Sequence, residues 1–115
     1  MKIVNKWFKE TVDYVDKNTE LTVKVRDKNM SSIALVGKIG ELTYLDLDIN
    51  FGDRGMYECG GTISYQGYDD NPTDILEVRK FVKTEKEVIT LIDKSIDTAS
   101  KLIITLRQLE REWNT

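Results

Sequence analysis

Glu41-Leu42-Thr43-Tyr44-Leu45-Asp46-Leu47-Asp48-Ile49-Asn50-Phe51 is the stretch that decides the fold. Apolar residues recur at every second position. Leu45, Leu47, Ile49 and Phe51 therefore share one face of a strand, and Tyr44, Asp46 and Asp48 share the other. One face needs a core; the other can meet water or a partner. Such one-sided strands belong to antiparallel sheets covered on a single face.

Working outward, the same period recurs. Leu21, Val23 and Val25 alternate with Glu20, Thr22, Lys24 and Arg26, which predicts a short strand, followed by a turn at Asp27-Lys28-Asn29. Residues 31 to 38 form the next strand. Its unbroken run Ile33-Ala34-Leu35-Val36 implies burial on both sides. Gly52-Asp53-Arg54-Gly55 is a tight-turn signal after the 41–51 strand. Residues 56 to 66 read as the fourth strand, with Tyr57, Cys59, Ile63 and Tyr65 on one face. Gly60-Gly61 in its middle marks a bulge or sharp bend. After a loop at residues 66–74, which holds the only proline, residues 75 to 82 read as a fifth strand aligned on Leu76, Val78 and Val82; a helix is the competing reading there.

Two stretches carry helical period instead. Residues 3 to 17 place Val4, Phe8, Val12 and Val15 on one stripe. Thr84-Glu85-Lys86-Glu87 is a capping box, and the stripe after it runs through Val88, Ile92, Ile96, Ala99, Ile103 and Leu106. A helix from Glu85 to Trp113 is roughly 43 Å long at ~1.5 Å per residue, whereas a ten-residue strand spans about 34 Å. Its last turns overhang the sheet, so Leu106, Leu109 and Trp113 need a partner, either the N-terminal helix or a second copy of the chain. The expected fold is a single α+β domain over residues 1–115: an N-terminal helix, a five-stranded antiparallel meander sheet and a long C-terminal helix packed on the sheet.

Composition narrows the chemistry. The 115 residues are 40% hydrophobic and 32% charged, as in an ordinary globular protein. Histidine is absent and Cys59 is the single cysteine, which removes Ser-His and Cys-His nucleophile pairs and the usual zinc site. The start Met1-Lys2-Ile3-Val4-Asn5-Lys6 has no signal-peptide pattern, and no apolar run approaches the ~20 residues of a membrane span; the expected location is cytoplasmic. A net charge of −3 argues against a direct nucleic-acid binder and suits a basic partner.

Three constellations could carry chemistry. Asp46 and Asp48, with Glu58 expected beside one of them across a hairpin, could hold magnesium or calcium; a solvated polar sheet face is the simpler account, since a one-sided sheet requires polar residues on its outward face. The loop Tyr68-Asp69-Asp70-Asn71-Pro72-Thr73-Asp74 is acidic but lacks the alternation of a calcium loop. Tyr44, Tyr65 and Tyr68 lie on or near the acidic face, and tyrosine with aspartate is interface material. Gly37-Lys38-Ile39-Gly40 is too short for a phosphate loop, and nothing cationic in sequence activates Cys59. No cofactor, metal or catalytic set is assigned.

The small, acidic, Lys/Asn/Asp/Ile-rich character resembles the accessory proteins of phages and mobile elements, including inhibitors of bacterial defence systems. That likeness is one of composition and carries no residue with it. The leading expectation is a non-enzymatic binding or inhibitor protein whose Tyr44, Asp46, Asp48, Glu58, Tyr68, Asp69 and Asp70 meet a basic surface on a nucleic-acid-handling partner. The alternatives are a homo-oligomeric (dimeric) assembly protein joined through Leu106, Leu109 and Trp113, and a metal-dependent hydrolase using Asp46, Asp48 and Glu58.

Overall fold

The computed structural model describes residues 7–25, 31–39, 43–52, 54–65 and 73–114, without the side chains of Val25, residues 73–78, Ile103 and Leu106. The elements run α1 (Lys9–Asn18), β1 (Thr22–Val25), β2 (Ser32–Ile39), β3 (Thr43–Phe51), β4 (Tyr57–Tyr65), β5 (Thr73–Val82) and α2 (Glu85–Trp113). All five strands form one open antiparallel sheet in the order β1-β2-β3-β4-β5, the expected meander.

Alternation places the core. In β3, Thr43, Leu45, Leu47 and Ile49 are buried, while Tyr44 and Asn50 are exposed and Asp46 and Asp48 half-buried. Both helices cover the Leu45–Leu47–Ile49 face. From α1 come Phe8 (just before its first turn), Val12 and Val15, and from α2 Val88, Ile92 and Ala99. Ile92 is almost wholly enclosed, so its truncation to Ala would cost about 2–5 kcal/mol. In β2, Ile33, Ala34 and Leu35 are buried in succession, as the unbroken apolar run implies.

Several boundaries differ from expectation. Trp7 and Phe8 form a turn, and α1 starts at Lys9; Ile3 to Lys6 lie outside the described residues. Thr73 and Asp74 belong to β5, paired with Tyr65 and Ser64. Their turn-forming composition is overridden by a ladder that needs partners for β4. The competing helix at residues 75–82 is excluded. The β3–β4 ladder passes through Gly60-Gly61 without a register shift; the irregularity lies between β4 and β5 at Ile63/Ser64. Gly61 has another role. A Cβ there would stand 2.5 Å from the Asp46 carbonyl oxygen and 2.5 Å from Leu47 Cδ2, so only glycine allows the two strands to approach so closely.

The β3–β4 turn closes with Gly52 N–H donating to the Met56 carbonyl (3.0 Å) and Gly55 N–H to the Gly52 carbonyl (3.1 Å). Gly55 sits at φ +73°, where a side chain is penalised. Beside this turn Trp7 stacks on Phe51 at 4.8 Å, Tyr57 meets Phe51 and Phe8 edge-on, and the Tyr57 hydroxyl donates to the Trp7 carbonyl at 2.6 Å.

The helices are clasped at their starts. Thr84 caps α2, its hydroxyl accepting from Glu87 N–H at 3.2 Å. Glu87 reaches back to the Thr84 hydroxyl (3.1 Å) instead of the backbone N–H of the usual box. Glu85, one residue on, accepts from both Thr11 N–H (2.7 Å) and the Thr11 hydroxyl (3.0 Å). It supplies the cap that α1 lacks from its own N-cap residue, Phe8, and puts an anion at the positive end of that helix. Further along, Tyr14 donates to Asp93 at 2.5 Å. These contacts advance in the same direction along both helices, so α1 and α2 run parallel, and α1 ends at Asn18, beside a shallow cleft that Ile96 also lines.

Beyond that point α2 leaves the body. Ile104, Leu109 and Trp113 are 56%, 51% and 82% exposed. The molecule measures 53 × 26 × 24 Å with a radius of gyration of 15.6 Å, against about 13 Å for a compact domain of this length. The overhang expected from element lengths is present, and α1 does not cover it.

Candidate functional site

The outer face of the sheet, opposite the helices, carries the acidic residues. Register puts Tyr44 opposite Lys38 and Ser64, Asp46 opposite Val36 and Thr62, and Asp48 opposite Ala34 and Gly60. Tyr44 is 44% exposed. The Oδ1 atoms of Asp46 and Asp48 are shielded from solvent and accept no hydrogen bond among the described residues, while each residue takes part in a further interaction within the chain. Thr62 and Gly60 beside them are small, so the aspartate row stands at the edge of a low strip along β4.

Glu58 shares this face but stands directly across from Asn50, diagonal to Asp48 and farther still from Asp46. The five-residue link from Gly52 to Met56 pairs Phe51 with Tyr57, and that register displaces Glu58. Its carboxylate pairs with Arg79 of β5 at 2.9 Å. Among the described residues no group of three potential ligands is placed to hold a metal ion. Asp46, Asp48 and Glu58 therefore do not form the triad that metal-dependent hydrolysis needs. Tyr68, Asp69 and Asp70 lie outside the described residues. Tyr65 is half-buried and Tyr57 buried. Phe81, which sequence reasoning passed over, is 57% exposed opposite Glu58; its odd position among Leu76, Val78 and Val82 was the available signal.

The overhang of α2 is a second exposed surface. Leu109 and Trp113 continue the stripe that is buried at Ile92 and Ala99 and half-buried at Leu102. Sequence spacing puts Leu106 on it too, though its side chain lies outside the described residues. Lys101 is tied to Asp97 within the helix at 2.9 Å.

A third feature was not anticipated. Between α2 and β3–β5 lies a cavity of about 340 Å³, partly open to solvent. Its walls are Leu45, Leu47 and Ile49 from β3, Ile63 from β4, and Val88 and Ile92 from α2, with Cys59 among them. Burial, reinforced by the Glu58 charge, pushes the Cys59 thiol up to about 11, so it stays protonated and unreactive as a nucleophile near neutral pH. Around the cavity stand Arg79, Lys80 and Lys94, and the described lining contains no carboxylate.

No helix among the described residues is long and apolar enough to cross a membrane. Comparison with protein-family models, with curated proteins and with solved structures finds no match.

Proposed function

We propose that this protein is a small non-enzymatic binding domain that docks on a basic surface of a partner protein through the outer face of β3 and β4. A partner that handles nucleic acid suits it best, since such proteins carry the exposed cationic surface that the docking would occlude. An anti-defence inhibitor encoded by a phage or mobile element is the biological setting this implies. The observation that supports the reading is the row Tyr44-Asp46-Asp48, on the one sheet face that neither helix covers. An exposed ring supplies contact area, and two carboxylates select a cationic partner and speed its approach. Lys38 of β2 stands opposite Tyr44, Lys24 lies one strand further out on β1, and Arg79 pairs with Glu58.

The test is affinity capture from a bacterial lysate, followed by direct titration of the captured protein. Asp46→Lys with Asp48→Lys should weaken binding by about tenfold or more and flatten its salt dependence. A double variant that binds like wild type would remove the acidic face from the reading.

One observation favours a second reading, homo-oligomeric assembly through α2: the Leu109 and Trp113 side chains, 51% and 82% exposed, on a stripe that continues from the core. Light scattering decides it. A dimer that becomes a monomer in Leu109→Glu with Trp113→Glu supports assembly, and a wild-type monomer at high concentration rules it out.

A further inference from the structure

The geometry points to the cavity between α2 and the sheet as a binding site for a soluble single-chain aliphatic anion, its chain against Leu45, Leu47 and Ile92 and its head group at Lys80 and Lys94. The site is separate from the outer face and independent of what that face binds. Its size is that of a small-ligand pocket: 340 Å³ holds roughly ten water-sized groups at ~30 Å³ each. One alkyl chain fits; a two-tailed phospholipid does not.

The charge distribution selects the ligand. The chain as a whole has 20 acidic and 17 basic residues, yet the described cavity lining has no acid and two cations on the helix side, Lys80 and Lys94; the third basic residue, Arg79, turns to the outer face. Arg79 is held by Glu58, whereas neither Lys80 nor Lys94 is in an ion pair among the described residues. Lys80 is the telling residue. It pairs with Cys59, and its parity in β5 is that of Val82, 4% exposed in the core. A lysine at that parity brings an ammonium to the helix side of the sheet, where an apolar residue would otherwise close the layer.

Cys59, the only cysteine in the chain, lines this cavity and reports on its occupancy. The experiment follows alkylation of Cys59 by iodoacetamide, by mass, at about pH 9, where a measurable fraction of the thiol ionises, with decanoate or decanol below its aggregation concentration, or with phosphatidylglycerol vesicles. Decanoate should slow alkylation and raise the melting temperature, at about one tenth of the concentration decanol requires. Lys80→Glu with Lys94→Glu should abolish that preference, each protein being compared with its own rate without ligand. No protection by decanoate or by vesicles overturns the site. Equal protection by decanoate and decanol overturns the head-group assignment. Protection by vesicles without protection by decanoate overturns the soluble source.

Discussion

Glu85 holds two donors of a helix 74 positions away in sequence, so its replacement isolates the clasp between α1 and α2. Thr11 is fully buried; when the carboxylate is removed, water cannot readily take its place at the Thr11 N–H and hydroxyl. Hydrogen bonds to a charged group contribute about 1.5–3 kcal/mol each, and neutral ones about 1 kcal/mol. Glu85 is half-buried, so solvent screens part of this, and the pair together is worth about 2 kcal/mol. For a chain of this length, total stability is about 6–17 kcal/mol, so Glu85→Ala should remove a visible fraction of it and lower the melting temperature by about 8 °C. Glu85→Gln keeps an acceptor oxygen and should lose under about 1 kcal/mol.

The two variants also separate by pH. Burial raises the Glu85 pKa above its ordinary value, against the lowering effect of the Thr11 hydrogen bonds. A carboxyl whose folded pKa is raised contributes stability that is fully present below its unfolded pKa and is lost as pH rises through the folded value. Wild type should therefore gain on Glu85→Gln as pH falls from 7 toward 4. Urea unfolding followed by tryptophan fluorescence gives these differences. Glu85→Ala within about 0.5 kcal/mol of wild type, the scatter of a neutral surface change, or Glu85→Gln as damaging as Glu85→Ala, would refute the reasoning.

Other substitutions test the sheet. Gly61→Ala forces a Cβ to 2.5 Å from backbone and should cost about 3 kcal/mol in urea unfolding, while Gly52→Ala, with nothing nearer than 3.8 Å, should cost under about 1 kcal/mol. Gly55→Ala, at φ +73°, should cost about 1–2 kcal/mol by the same measurement. Tyr57→Phe loses the bond to the Trp7 carbonyl and should cost about 1 kcal/mol. The Tyr57 hydroxyl is pushed up to about 12, mainly by burial. Its contribution is complete below pH 10 and is lost as pH rises toward 12, so alkaline unfolding should begin earlier in wild type, relative to its own neutral-pH stability, than in Tyr57→Phe.

The sheet was legible because its signals are local. The alternation of Leu45, Leu47 and Ile49 and the glycines at 52 and 55 need no knowledge of distant residues. The long helix was legible for the same reason, from Thr84 and the stripe behind it, and so was the overhang at Leu109 and Trp113. What failed depended on register. Glu58 was expected beside Asp48 or Asp46 because the hairpin was drawn tighter than its five-residue link allows; that link sets Phe51 against Tyr57 and turns Glu58 toward Arg79. Thr73 and Asp74 read as loop because their composition favours turns, yet β4 recruits them. The cation-lined cavity left one trace in sequence, Lys80 interrupting the parity of Leu76, Val78 and Val82. The contact of Glu85 with Thr11 left none, since a capping partner 74 positions away has no local pattern.

That separation has a kinetic consequence. Every strand pairing joins consecutive strands, so the meander can assemble by closing short links. The helix clasp must close a far longer one, at about 2 kcal/mol more than a five-residue hairpin link. The order this implies is sheet first, with α1 docking onto α2 after the transition state. Glu85→Ala would then accelerate unfolding in stopped-flow measurements and leave refolding almost unchanged. The clasp is a latch: it forms last, opens first, and sets how long the folded chain lasts rather than how quickly it appears.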